Sequence, residues 1–251
     1  MAGLRIAAAQ SASIANDIGA NVARHGIFAE HAARAGVRLL VFPELSLTGY
    51  ELASMAGLAL HADDARLAPL RAHAQAAGMT IVAGLPLANR TGLPFIGALA
   101  FQPDGSTVSY RKHFLHPGEE RYAAPGSAIS QLIDVRGVPV ALAICADTTH
   151  QAHVHAAVAT GATLYVAGSV ITPGGYVKDT TQLASHARRF SIGILMANHA
   201  VATGGYPCAG RSAVWLPDGQ LQVAADGQGE CLVMADEDSG AVLPVNMDSS
   251  H

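Results

Sequence analysis

Apolar and polar positions along the chain follow two spacings. Short apolar runs of strand length alternate with longer segments in which apolar residues recur at helical spacing. One helix is expected at 17–34, before Gly36, and another at 64–77, before Gly78. Strands are predicted at 5–9, 37–42, 80–85, 138–144, 163–167 and 192–197, with further helices at 151–160 and 178–189. This order predicts an α/β protein built from stacked layers.

Two turns in the pattern indicate antiparallel strand pairs instead. Each contains proline, aspartate and glycine in succession, as Pro103-Asp104-Gly105 and as Pro217-Asp218-Gly219. These residues supply turn geometry, so a β-hairpin is expected at each position. No long linker, low-complexity tract or internal repeat interrupts the sequence, and one domain over 1–251 is predicted.

Composition narrows the class of protein. Half of the 251 residues are apolar and only 14% are charged, which favours a globular chain with a large core. The formal net charge is -4 and the basic residues are scattered, so nucleic acid is not an expected partner. The apolar runs are too short to span a bilayer, and the first ten residues turn polar too early for a secretory signal. Three widely spaced cysteines fit neither a disulfide framework nor a zinc pattern, so a cytoplasmic protein without membrane association is expected.

Cys145 is a candidate nucleophile because of its position. It ends the apolar run 138–144 and precedes Asp147, Thr148 and Thr149, which can cap the next helix. A helix N-terminus there would lower the thiol pKa and point backbone N–H groups at a developing oxyanion. The alternative is a small buried apolar residue, which is what most free cysteines are.

Glu44 and Lys112 also follow predicted strands, at 37–42 and at 106–110. Glu44 lies between apolar residues, and burial would raise its pKa toward the range of a general base. Taken alone, each has a simpler interpretation, as a turn carboxylate and as a solvated lysine.

Together these segments resemble the nitrilase superfamily of carbon–nitrogen hydrolases. The resemblance covers nearly the whole chain, and its three motifs come in the family's order. The glutamate motif is matched by Phe42-Pro43-Glu44-Leu45 with Thr48-Gly49-Tyr50, the lysine motif by Tyr110-Arg111-Lys112, and the cysteine motif by Ala143-Ile144-Cys145-Ala146-Asp147.

The resemblance implies a four-layer αββα sandwich and a Glu-Lys-Cys triad. Glu44 would take the proton from the Cys145 thiol and later give one to the leaving amine. Lys112 with the Ala146 backbone N–H would stabilise the oxyanion of the tetrahedral intermediate on Cys145. Members usually carry a second glutamate after the lysine. Glu119 fits this position, seven residues before Gly126, with Glu120 as the alternative that would otherwise face water.

Departures from the family pattern bear on the substrate. Members that bind N-carbamoyl amino acids tend to place arginines where this chain has Thr148 and Thr149, and the Cys-Trp-Glu pattern of true nitrilases is absent. A small linear amide is therefore the expected substrate, and a homodimer or larger homo-oligomer the expected assembly. Hydrolysis of a nitrile or an N-carbamoyl compound, or acyl transfer to an amine, stays as the alternative. The substrate site is predicted to include Tyr50, Ala146, Thr148 and Ser169, with no cofactor and no metal.

Two other interpretations compete with a cysteine hydrolase. His150, His153 and His155 could suggest a metallohydrolase, but on a helix only His150 and His153 share a face, and no carboxylate completes a site. A non-catalytic binding protein with this fold is disfavoured because all three residue types of the triad are present.

Overall fold

The computed structural model describes residues 3–127 and 131–247, which form strands, helices and short 3₁₀ turns. The helices are α1 (Ile18–Arg34), α2 (Met55–Leu58), α3 (Ala68–Ala77), α4 (Gln151–Ala159) and α5 (Tyr176–Phe190). The strands are β1 (Ile6–Gln10), β2 (Leu39–Val41), β3 (Thr80–Leu87), β4 (Phe95–Phe101), β5 (Thr107–Arg111), β6 (Ile133–Val135), β7 (Val138–Ile144), β8 (Leu164–Ser169), β9 (Gly193–Asn198), β10 (Ala213–Trp215), β11 (Leu221–Ala224), β12 (Cys231–Ala235) and β13 (Gly240–Pro244). Among the helices of the described ranges, none combines the length and apolar character needed to cross a membrane.

The strands form two mixed sheets. The first has the order β13-β12-β1-β2-β3-β4-β5, and the second has the order β11-β10-β9-β8-β7-β6. The central strands β1, β2 and β3 run parallel, as do β7, β8 and β9, while the outer strands pair antiparallel. Parallel central strands end at the same edge of a sheet, so the residues that follow them are brought together there.

Successive side chains of a strand point to opposite faces of its sheet, and this divides the apolar core into three parts. Val41 of β2 and Val166 of β8 lie in the apolar layer between the sheets. Leu40 faces the other way and packs with Phe28 of α1. Tyr165 lies in a separate cluster with Leu183 of α5. Because each sheet is covered by helices on its outer face, the fold is the four-layer αββα sandwich that the resemblance implied.

The sequence pattern located most of these elements correctly. Both Pro-Asp-Gly turns join antiparallel strands, β4 with β5 and β10 with β11. The helix expected at 64–77 begins as a 3₁₀ turn, Ala65–Leu67, before α3. The pattern missed β12 and β13, although β12 pairs antiparallel with β1 over five residues.

Candidate active site

A buried lysine connects two buried glutamates at the ends of the strands. Lys112 directly follows β5, and its Nζ donates to Oε1 of Glu44 at 2.6 Å and to Oε1 of Glu119 at 2.7 Å. The three side chains are no more than 1% exposed. Three ionisable groups removed from water are costly unless they compensate one another, and here each carboxylate is paired with the same ammonium.

Glu119 is held by donors on both of its oxygens. The Tyr50 hydroxyl donates to Oε1 at 2.6 Å, and the backbone N–H of His116 donates to Oε2 at 2.7 Å. With Lys112 as a third donor, the carboxylate of Glu119 acts only as an acceptor. Its orientation is therefore fixed before any substrate binds.

The neighbouring glutamate lies on the other side of the loop. Glu119–Arg121 forms a single 3₁₀ turn, in which Glu119 is buried and Glu120 is exposed. The Glu120 carboxylate accepts a hydrogen bond from the Gly118 N–H at 2.6 Å. This helical turn places the two carboxylates on different sides of the loop, so Glu119 reaches Lys112 while Glu120 stays at the surface.

The charges in this cluster shift one another's pKa values. Burial raises the pKa of Glu44 to about 7, a shift that the charge of Lys112 opposes and that of Glu119 reinforces. Burial alone would lower the pKa of Lys112, but the charge of Glu44 and that of Glu119 raise it above its ordinary value. Lys112 therefore stays charged at neutral pH, while Glu44 can gain or lose a proton there.

Cys145 occupies a sharp turn between β7 and the 3₁₀ helix Cys145–Thr149. Its backbone φ is 40°, in the left-handed region that few residues other than glycine adopt. The thiol donates to the backbone oxygen of Val170 at 3.8 Å. Such a turn projects the side chain away from the end of the strand, where a bound ligand can reach it.

The pKa of Cys145 differs in direction from the sequence expectation. The helix N-terminus was expected to lower it, but burial raises the thiol pKa well above its usual value, and the charge of Glu44 adds to the shift. The thiol is therefore protonated at neutral pH, and a base must remove its proton before it can attack.

The carboxyl of Glu44 is the candidate for that base. Within the described ranges, its Oε2 has no hydrogen-bond partner, although the atom is buried. The neighbouring Cys145 thiol lowers the pKa of the Glu44 carboxyl, an effect smaller than that of burial.

The backbone of Glu44 is fixed from two directions. Nε2 of the buried His199 lies 2.7 Å from the Glu44 carbonyl oxygen. Burial lowers the pKa of His199 to about 4, so the ring is neutral and Nε2 carries the donated hydrogen. On the other side Gly168 packs so closely that a methyl group there would lie 2.9 Å from the Glu44 backbone nitrogen. Gly168 is therefore required by close approach.

The residues after Cys145 do not cap α4 as predicted. The N-cap of α4 is His150, and it forms no side-chain cap hydrogen bond in the described part of the chain. Thr148 instead donates to the Cys145 carbonyl oxygen at 2.8 Å. The Asp147 carboxylate turns back toward β7 and β5, where it accepts several hydrogen bonds.

Asn198 holds the loop that faces the thiol. Its Oδ1 accepts from the Ile171 N–H at 2.9 Å, and its Nδ2 donates to the Ile171 carbonyl oxygen at 3.0 Å. A third bond runs from Nδ2 to the Gly210 carbonyl oxygen at 2.9 Å. These bonds fix the position of Val170, the acceptor of the Cys145 thiol.

A cavity of about 490 Å³ opens next to Cys145. The four residues predicted for substrate binding all line it: Tyr50, Ala146, Thr148 and Ser169. Other parts of its wall come from the loop before Glu119 and from the start of α5, which contributes Lys178 and Asp179. The volume lies within the range of pockets that hold small-molecule ligands.

The histidines of α4 are engaged in other contacts. The ring nitrogens of buried His153 lie 2.8 Å from the Tyr110 hydroxyl and 2.7 Å from the Tyr165 hydroxyl. His150 stacks on Phe114 with ring centroids 3.8 Å apart. Over residues 3–127 and 131–247, no three His, Cys, Asp or Glu side chains are grouped to hold a metal ion.

Sequence reasoning did not identify His199 or the acceptor role of Asp147. His199 directly follows a buried strand, and a polar residue at such a position was a usable signal. Asp147 gave no comparable signal, since its partner Tyr110 is 37 residues away in the sequence.

Comparison with known proteins agrees with this geometry. The family described as carbon-nitrogen hydrolase matches residues 5–245. A cysteine-to-serine mutant of the Nesterenkonia AN1 amidase, from the nitrilase superfamily, superposes with a TM-score of 0.85 at 27% identity, covering 93% of this chain and 91% of that one. A glutamate-to-glutamine mutant, with acrylamide added to its active-site cysteine, has the same TM-score, 27% identity and coverage of 93% and 92%. A cysteine-to-alanine mutant in complex with butyramide gives 0.84 and 27%, with coverage of 93% and 90%. The chain thus belongs to the carbon-nitrogen hydrolase family, as an amidase-like member of the nitrilase superfamily with a cysteine nucleophile.

Proposed function

We propose that this protein hydrolyses small linear amides through a thioester on Cys145, with Glu44 as general base and Lys112 as oxyanion partner. The observation that carries the proposal is the asymmetry of the two glutamates on Lys112. Glu119 is saturated by donors, whereas Oε2 of Glu44 is unpartnered within the described ranges and the Cys145 thiol acts on the pKa of the Glu44 carboxyl. Two carboxylates in different surroundings take different roles.

In the first half of the reaction, Glu44 accepts one proton and then donates it again. Glu44 takes the proton of the Cys145 thiol as the sulfur attacks the amide carbon, which gives a tetrahedral oxyanion. The carbon–nitrogen bond then breaks, and the nitrogen leaves as ammonia after it takes the proton back from Glu44. A pKa of about 7 suits both steps, because the carboxyl can accept and release a proton near neutral pH.

Lys112 and the backbone N–H of Ala146 are the proposed partners of the oxyanion. The Lys112 ammonium is charged at neutral pH because its pKa is raised, and Glu44 and Glu119 already orient it. A charge fixed in advance in a buried site stabilises a developing anion without reorganisation.

The second half regenerates the thiol. Water attacks the thioester carbon while Glu44 takes one of its protons, and a second tetrahedral oxyanion forms. The carbon–sulfur bond breaks, the acyl group leaves as a carboxylic acid, and Glu44 returns its proton to the Cys145 sulfur. Each turnover thus consumes one water and releases one ammonia.

The cavity beside Cys145 is the proposed site of the acyl chain, and Tyr50, Ala146, Thr148 and Ser169 are its proposed contacts. The hydroxyl of Thr148 is already bound to the Cys145 carbonyl oxygen. Thr148 supplies no positive charge for a carboxylate, and Lys178 in the cavity wall lies next to Asp179 in the sequence, so the wall as a whole supports uncharged amides as the substrate class. The amidase relative with butyramide bound is consistent with this class.

The test is ammonia release from a series of primary amides, nitriles and N-carbamoyl compounds. We expect release from the amides by the wild type and none by Cys145→Ala. The matched controls Cys208→Ala and Cys231→Ala replace buried free cysteines, and both should stay active. An active Cys145→Ala would refute the assignment. Formation of a hydroxamate in added hydroxylamine would report the thioester and reveal transfer to an amine.

A further inference from the structure

The buried carboxylate of Asp147 joins the two segments that present Lys112 and Cys145. Its Oδ2 accepts from the Ile144 N–H at 2.9 Å, directly before Cys145. On the lysine side, its Oδ1 accepts from the His113 N–H at 3.1 Å and from the Phe114 N–H at 2.8 Å. One side chain thus fixes the backbone next to both residues.

A fourth bond extends this contact into the core. The Tyr110 hydroxyl, two residues before Lys112, donates to Asp147 Oδ2 at 2.6 Å. The same hydroxyl lies 2.8 Å from Nε2 of His153, whose Nδ1 lies 2.7 Å from the Tyr165 hydroxyl. Lys112 is therefore flanked on both sides by groups that bind Asp147.

The protonation states of Tyr110, His153 and Tyr165 determine which group donates in each of these hydrogen bonds. Burial lowers the pKa of His153, so its ring is neutral and has one N–H. Burial raises the pKa of Tyr110 and of Tyr165 well above their usual values, so both hydroxyls keep their protons. Because Tyr110 donates to Asp147, it must accept from Nε2–H of His153, whose Nδ1 accepts from Tyr165. All donors point toward Asp147, and such chains strengthen one another.

We propose that Asp147 is a positioning residue that sets the distance between the Cys145 sulfur and the Lys112 ammonium, and that the Tyr110–His153–Tyr165 chain fixes its carboxylate. The inference rests on the proposed function, in which sulfur and ammonium act on the same carbonyl group. Reacting groups tolerate little displacement, and a shift of about 1 Å can cost on the order of 100-fold in rate.

The first test compares Asp147→Asn with the wild type. An amide cannot accept at both of its atoms, so donors that now reach the carboxylate would face an NH₂ group. In protein that stays folded by circular dichroism, we expect kcat on the best amide to fall on the order of 100-fold, while KM changes little. A role confined to folding would lower the melting temperature without this separation of kcat from KM.

A second readout needs no substrate. Iodoacetamide alkylates Cys145 as its proton passes to Glu44 and iodide leaves, and peptide mass spectrometry gives the rate at this residue. Asp147→Asn should slow that rate. If the wild type releases no ammonia from any amide, the proposed function fails, but the alkylation rates still decide the role of Asp147.

Tyr110→Phe serves if Asp147→Asn does not fold, since it removes one of the four bonds. Its matched control is Tyr176→Phe, which removes a single hydrogen bond from the hydroxyl to the Arg211 carbonyl oxygen. That bond is not part of the Tyr110–His153–Tyr165 hydrogen-bond network. We expect a lower kcat and slower alkylation in Tyr110→Phe alone. Equal rates in the two tyrosine variants, or a folded Asp147→Asn with kcat and alkylation within about twofold of wild type, would overturn the proposal.

Discussion

Nε2 of His199 donates a hydrogen bond of 2.7 Å to the backbone carbonyl oxygen of Glu44, so a histidine outside the triad fixes the position of the proposed base. Both residues are fully buried. The bond joins the end of β9 in one sheet to the loop after β2 in the other, and thus spans the two sheets at the site.

We predict that His199→Phe lowers kcat because it keeps a planar ring but removes the donor. A loss on the order of 10-fold to 100-fold is expected for a displaced catalytic group. Steady-state kinetics would measure it. His199→Gln retains an N–H donor and should recover part of the rate; if it behaves like His199→Phe, the hydrogen bond is not what matters.

Replacing Lys112 by methionine should lower kcat/KM on the order of 100-fold or more, because the oxyanion loses its charged partner while the side chain keeps its length. The variant also leaves Glu44 and Glu119 without the cation that they share. The control is Arg111→Met, an exposed neighbour whose guanidinium lies over the Phe95 ring. A Lys112→Met enzyme with the activity of the control would exclude the proposed role.

The rate should depend on the ionisation of Glu44. The base must be deprotonated, and its pKa is about 7, so kcat/KM should fall as the pH drops through that value. The charge of Glu119 contributes to this raised pKa, so Glu119→Gln should move the acid limb to lower pH. Glu120→Gln, at the surface, should leave the limb in place. A limb that moves in Glu120→Gln but not in Glu119→Gln would reverse the assignment of the second glutamate.

Acid should destabilise the fold through His25. Burial lowers its pKa to about 3 from 6.5, so the unfolded chain binds a proton at a pH where the folded chain does not. The stability from the neutral ring is complete above about 6.5 and is lost progressively as the pH falls from there toward 3. Urea unfolding at several pH values gives the free energy of unfolding as a function of pH. Between about pH 3 and 6.5 this free energy should rise less steeply with pH for His25→Gln than for wild type. The exposed His61→Gln should show the same pH dependence as wild type. Equal slopes in all three proteins would refute this account.

The sequence could group the candidate residues because its motifs follow strands, and the ends of neighbouring strands meet in space. Glu44 and Cys145 could be placed in this way from apolar runs of strand length. The contacts that orient these residues could not, because the hydrogen bonds of Asp147 and His199 reach partners far away in the sequence. The helix N-terminus was expected to lower the thiol pKa, whereas burial and the charge of the distant residue Glu44 raise it. β12 was missed although it is as long as β1, because its partner in the sheet, β1, lies at the other end of the sequence.

The left-handed backbone conformation of Cys145 lowers the stability of the fold at the residue that is proposed to carry the activity. A residue with a Cβ in this conformation costs about 1–2 kcal/mol, which glycine would not incur. The chain retains this cost where the proposed chemistry needs a thiol at a sharp turn. Glycine at this position would relieve the strain and abolish the nucleophile together. Selection for thermal stability alone would therefore favour glycine here, and the proposed role of Cys145 as nucleophile accounts for the strained cysteine in its place.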